Sequence, residues 1–112
     1  DGLVIPMQCE FFALEGLSQL MNSVKRVRQS YNPRLEITGI LLTMYNGRLI
    51  LSGQVVKELK KYYAEKIFKT TISRSVKLSE APGFGKPICY YDPFGKSTQE
   101  YADVAKELVL RI

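Results

Sequence analysis

The side chains able to do chemistry in this 112-residue sequence are cations, carboxylates and hydroxyls: it holds 16 Lys and Arg, 11 Asp and Glu, and no histidine. Without imidazole, neither a Ser-His-Asp nor a Cys-His nucleophile can form within it, nor any His-containing metal site. Two cysteines, Cys9 and Cys89, do not make a disulfide scaffold, and they need carboxylate help to hold zinc. They point to a reduced, cytoplasmic setting. The cations are concentrated. From Lys57 to Lys77 there are seven (Lys57, Lys60, Lys61, Lys66, Lys69, Arg74, Lys77) against two anions, Glu58 and Glu65, so this stretch equals the whole net charge of +5. Such a segment suits a polyanion, whether nucleic acid, nucleotide phosphate or anionic lipid. A solvated, lysine-rich helix face is the plain alternative. The densest polar string runs from Thr70 to Glu80, through Ser73, Arg74, Ser75 and Lys77. It begins where a strand is expected to end, and open α/β sheets bind ligands at that edge.

Two glycine motifs carry less. Gly95-Lys96-Ser97 has the ending of a phosphate-binding loop, but Tyr90 stands where its first glycine belongs. Ser97 to Glu100 reads instead as a capping box opening a helix. Gly83-Phe84-Gly85 lacks a third glycine and follows no strand, so it reads as a tight turn.

The elements that position these groups follow from apolar spacing. Leu3, Val4 and Ile5 predict a short strand covered on both faces and ended by Pro6. Leu14, Leu17, Leu20, Met21, Val24 and Val27 predict an amphipathic helix, terminated at Asn32-Pro33. Ile37 to Met44 predicts a second buried strand, and Asn46-Gly47 a turn. Ser52 is a candidate cap for a second helix with Val55, Val56, Leu59, Tyr62 and Tyr63 on its apolar side. Ile67 to Ile72 predicts a third strand, Leu78 to Ala81 a helical turn, and Ile88 to Tyr91 an extended piece. Tyr101, Val104, Ala105, Leu108 and Val109 predict a final helix. The order β-α-β-α-β-loop-α implies right-handed crossovers and a mostly parallel sheet flanked by helices. With 46% hydrophobic and 24% charged residues the composition is that of an ordinary globular chain, and no apolar run is long enough to span a bilayer.

Several strings have a family likeness. Pro6 to Leu17 (PMQCEFFALEGL), Gly39 to Tyr45 (GILLTMY), Val76 to Pro82 (VKLSEAP) with Gly85-Lys86-Pro87, and Tyr91-Asp92-Pro93 resemble, in order, the ParA/Soj chromosome-partitioning ATPases. These are deviant Walker-type P-loop proteins about twice this long, and the chain resembles their C-terminal half, without the P-loop. The resemblance implies a protein that binds ATP and magnesium and forms a homodimer in the ATP state. It implies non-specific DNA binding, stimulation by a ParB-type partner, and a cytoplasmic, nucleoid-associated location without membrane attachment. It implies that this chain alone does not hydrolyse ATP. It also implies that the chain alone, with one sheet edge uncovered, is poorly soluble or oligomeric.

Carried over by position, the resemblance makes Thr43, Met44, Ser73 and Ser75 candidates for the adenine pocket. It makes Arg48 and Lys77 candidates for DNA contact, with Arg74, Lys60, Lys61 and Lys69 adding to the field. The chain departs from the family pattern around Arg48, where Gly47-Arg48-Leu49-Ile50 stands for Ala-Arg-Thr-Asn, and at two further places. Ile72-Ser73-Arg74-Ser75 stands for Ile-Pro-Arg-Asn, and Asn46 for an aspartate. The alternatives are a MinD-like membrane-associated ATPase and a basic DNA-binding module with no ATPase activity. The MinD-like reading needs a basic amphipathic end, whereas the last helix carries Asp103, Lys106, Glu107 and Arg111 in mixture.

Overall fold

The computed structural model describes the backbone of residues 1–112 and every side chain except that of Phe11. Strand β1 (Gly2–Gln8) and strand β2 (Glu36–Thr43) pair in parallel, with a register shift between Leu3 and Val4. Helix α1 (Phe11–Ser30) crosses between them, and α2 (Ile50–Tyr63) follows β2. Then come a short helix α3 (Val76–Glu80), a 3-10 turn (Ala81–Phe84), a single turn α4 (Ile88–Tyr91) and the final helix α5 (Lys96–Arg111).

The sheet separates two cores. On one face, Ile5, Met7, Ile40 and Leu42 pack against Leu17 of α1 and Val55 and Leu59 of α2. On the other, Leu41, Phe68 and Ile72 pack against Val104 of α5. Consecutive apolar residues Ile40, Leu41 and Leu42 thus serve two opposite layers, which is why β2 reads as unbroken rather than alternating. The helix-sheet-helix layering expected from the element order is present.

Four local expectations are corrected. First, β1 is not covered on both faces: Ile5 and Met7 are buried, while Val4 and Pro6 are exposed. Helix α5 packs on β2, and the core on its side of the sheet holds no residue of β1. The strand also continues through Pro6 to Gln8, because proline's missing N–H does no harm on the side of an edge strand that faces no partner. Second, the third strand is interrupted. Residues 66–73 lie parallel to β2 and bond to it only near their two ends: Ile40 N to Lys66 O at 2.8 Å and Phe68 N to Ile40 O at 2.9 Å at one, and Ile72 N to Leu42 O at 2.9 Å at the other. Third, neither expected serine cap acts as one. The turn at Asn46 starts α2 at Ile50, so Ser52 lies inside the helix and is buried. Ser97 likewise falls within α5, whose cap position is Gly95, and Glu100 turns to Ser73 instead of back to the helix start. Fourth, Ile88 to Tyr91 is a helical turn, braced by Thr98, whose hydroxyl lies 3.0 Å from Ile88 O and 2.6 Å from Asp92 O.

Candidate functional site

In a parallel sheet the C-terminal strand ends gather at one edge. Here Thr43 and Met44, at the end of β2, meet the end of the third segment through a bridge between Tyr45 and Ser73. The Tyr45 N–H donates to Ile72 O at 2.9 Å. Met44 has φ 49°, a left-handed backbone uncommon for a non-glycine residue, and its side chain is half exposed. Such strain persists where surrounding structure holds it, and it clusters at ligand sites. Ser75 precedes α3 in extended conformation and makes no capping bond to it. The four candidates Thr43, Met44, Ser73 and Ser75 therefore lie at one edge. Ser73, however, is already engaged: its N–H donates to Glu100 Oε1 at 3.2 Å and its hydroxyl to Glu100 Oε2 at 2.9 Å. Sequence reasoning placed Glu100 in a capping box; no local spacing signals a contact across 27 residues.

The cations divide. Arg48 sits in the loop leaving β2, where Asn46 Oδ1 accepts its N–H at 3.0 Å. Arg74 and Lys77 follow the third segment. These three exposed cations belong to the C-terminal edge, beside Met44 and Ser75. Helix α2 then runs back along the sheet, so Lys60 and Lys61 fall toward the opposite end, about 15 Å from its start by helix rise. Glu58 holds the Lys61 ammonium at 3.0 Å and raises its pKa above the ordinary lysine value. Lys69 is exposed midway along the segment. The basic run of the sequence is thus two clusters in space. Lys77 also lies 5.8 Å over the ring of Tyr91, which stacks on exposed Phe84 at 5.4 Å. The Tyr91 hydroxyl donates to Glu80, which raises the Tyr91 pKa.

Gly95-Lys96-Ser97 opens α5 with Ser97 buried, so it forms a helix start and not a phosphate cradle. A groove of about 730 Å³ between α1 and α2 is lined by Leu14, Met21, Val55 and Tyr62 among others, and holds none of the candidate residues. Among the described residues no cluster of three metal-ligating side chains occurs, and no helix is long and apolar enough to cross a membrane.

The layered parallel fold is that of P-loop NTPase-like proteins. It superposes on a crystal structure of cobyrinic acid a,c-diamide synthase from Mycobacterium smegmatis with TM-score 0.71 and 24% identity, covering 96% of this chain and 37% of that one. The same enzyme with bound ADP and magnesium matches 68% of this chain and 31% of its own, at 30% identity and TM-score 0.56. A family model described as an AAA domain matches residues 1–37.

Sequence relatives narrow this class. The sporulation initiation inhibitor protein Soj of Bacillus subtilis is 53% identical over 96% of this chain and 43% of its own length. The chromosome partitioning protein ParA of Caulobacter vibrioides is 50% identical over 99% of this chain and 42% of its own. The chromosome-partitioning ATPase Soj of Thermus thermophilus is 43% identical over the whole chain and 45% of its own. The chain belongs to the ParA/Soj family, and it spans less than half the length of these curated relatives.

Proposed function

We propose that this chain is the C-terminal half of a partitioning ATPase. It supplies part of the adenine pocket and the DNA-facing cations, and the other half supplies the phosphate-binding loop and the magnesium site. The observation that carries this reading is the meeting of Thr43-Met44 with Ser73–Ser75 at one sheet edge, with Arg48, Arg74 and Lys77 beside it. These residues fit a purine: the exposed Met44 thioether offers an apolar surface, and the Thr43 and Ser75 hydroxyls offer hydrogen bonds. With both donors of Ser73 engaged by Glu100, it has acceptors left to offer, its carbonyl and the lone pairs of its hydroxyl oxygen. Bound ATP with magnesium supplies the phosphoanhydride to be hydrolysed. In the complete protein, ATP binding promotes a homodimer that holds DNA without sequence preference, and a ParB-type partner stimulates hydrolysis. The protein is cytoplasmic and nucleoid-associated.

Cations aimed at phosphates hold DNA without reading bases. Arg48→Ala with Lys77→Ala in the complete protein is therefore expected to weaken duplex binding equally across sequences. The slope of log affinity against log salt should shrink by about 2, near 0.9 per cation lost. Lys60→Ala with Lys61→Ala, at the far end of α2, should change the slope less. Shift assays over a salt series decide this: unchanged binding by the first pair removes the proposed DNA face, and a larger loss from the second moves it.

A further inference from the structure

The third segment depends on α5 for bonds that its neighbour strand does not make. The amides of residues 69 and 73 point away from β2, as alternate amides of a strand do, and the break in the ladder between Phe68 and Ile72 turns the amide of Thr70 away as well. Two carboxylates of α5 collect them. Glu107 accepts the N–H of Lys69 at 2.7 Å and of Thr70 at 3.0 Å. Glu100 accepts both the N–H and the hydroxyl of Ser73. The two lie seven residues apart, close to two helical turns, and so share one face of α5 with buried Ser97 and Val104.

Their tasks differ. Glu107 acts in the body of the segment, alongside Arg111. Glu100 acts at its last residue, which also bridges Tyr45 one position from strained Met44. Among the described residues no cation lies within ion-pair distance of Glu100, so the serine donors are what hold its charge. A two-point attachment fixes both the peptide plane and the side chain of Ser73, and sets the direction in which Arg74 and Ser75 leave the sheet.

We propose that Glu100 is a positioning residue that sets the conformation of Ser73–Ser75. The consequence for nucleotide affinity rests on the reading above that this segment serves the adenine pocket. A loop held in its bound conformation loses less freedom when ligand arrives. Glu100 thus tightens ATP binding without touching ATP, and does so only through the donors of residue 73.

The test is a mutant cycle in the complete protein, read by amide exchange of Arg74 and Ser75 and by steady-state ATPase kinetics. Glu100→Ala should speed exchange at both amides and raise the KM for ATP about tenfold, the scale of a lost hydrogen bond to a charged group. It should leave kcat within about twofold. Glu107→Gln, which acts in the segment's body, should lower Tm without this KM change. In a Ser73→Pro background residue 73 has no N–H or hydroxyl and its φ is fixed, so Glu100→Ala should alter neither readout. Ser73→Ala keeps the amide, and should show a smaller loss from Glu100→Ala than the wild type does. Unchanged exchange in Glu100→Ala, or equal losses in all three backgrounds, overturns the proposal. Faster exchange with unchanged KM upholds the positioning and removes the loop from the nucleotide site, which separates the two readings.

Discussion

Glu107 and Arg111 show how one pair of side chains can finish a broken strand. Arg111 donates to the carbonyls of Thr38 (3.0 Å), Lys66 (2.8 Å) and Ile67 (3.0 Å), and its fourth bond, 3.1 Å, goes to Glu107. Its guanidinium lies 4.3 Å over the buried ring of Phe68. Burial alone would raise the Glu107 pKa. The amides of Lys69 and Thr70, the Thr70 side chain and the Arg111 charge outweigh it and hold the carboxyl below its ordinary range. A carboxylate whose folded pKa is depressed contributes stability above its unfolded pKa, and that stability is lost as pH falls through the folded value. Glu107→Gln is therefore expected to cost about 1.5–3 kcal/mol near pH 7, the scale of hydrogen bonds to a charged group. The deficit relative to wild type should shrink as pH drops below about 4. Urea unfolding of both proteins from pH 7 to pH 3 measures it, and a deficit independent of pH would mean that the charge contributes nothing.

At the scale of elements, the joint between β2 and the third segment rests on a glycine. A Cβ on Gly39 would lie 2.3 Å from the Phe68 ring and 2.7 Å from Arg111 Nη1. Phe68 is nearly fully buried and cannot swing aside. Gly39→Ala should thus destabilise by about 1–3 kcal/mol through overpacking, against the ordinary gain from removing a glycine in a strand. Thermal unfolding checks the sign; a stabilised variant would show that the packing yields. The elements legible in the sequence are those whose own pattern declares them. The helical spacing from Leu14 to Val27 marks α1, the run Ile40 to Leu42 marks a strand covered on two faces, and Asn46-Gly47 marks the turn. The interruption at residues 69–71 was not legible, because the group that takes up the amides of Lys69 and Thr70 is Glu107, on a helix nearly forty residues away. For the same reason Ser97 to Glu100 looked like a cap: the local pattern is present, and a distant partner takes the carboxylate. The candidate site was legible through the family likeness, which names Thr43, Met44, Ser73 and Ser75. Its geometry was not, because the split of the cations depends on α2 running back along the sheet.

At the scale of the whole molecule, the radius of gyration is 15.3 Å, above the about 13 Å of a compact domain of this length. The excess agrees with a sheet covered unevenly. Helices α1 and α2 cover one face, while on the other α5 covers β2 and the third segment only. Among the described residues β1 pairs with β2 alone, so its outer edge carries open N–H and C=O groups. Val4 is 39% exposed on the face that α5 does not reach. An open edge beside apolar surface is a template for another strand. A two-layer patch of this kind also adds a hydrophobic gain to each backbone bond formed. The 112-residue polypeptide prepared by itself should therefore associate with increasing concentration, over about 10 µM to 1 mM. Val4→Lys, which places a charge on the open face without touching the buried Ile5 and Met7 side, should shift the association to higher concentration. Sedimentation velocity separates the outcomes. A wild-type polypeptide that stays monomeric throughout would show that the β1 edge is not adhesive. Equal association of wild type and Val4→Lys would place the contact elsewhere, with the exposed Val109, Leu110 and Ile112 at the end of α5 the next surface to change.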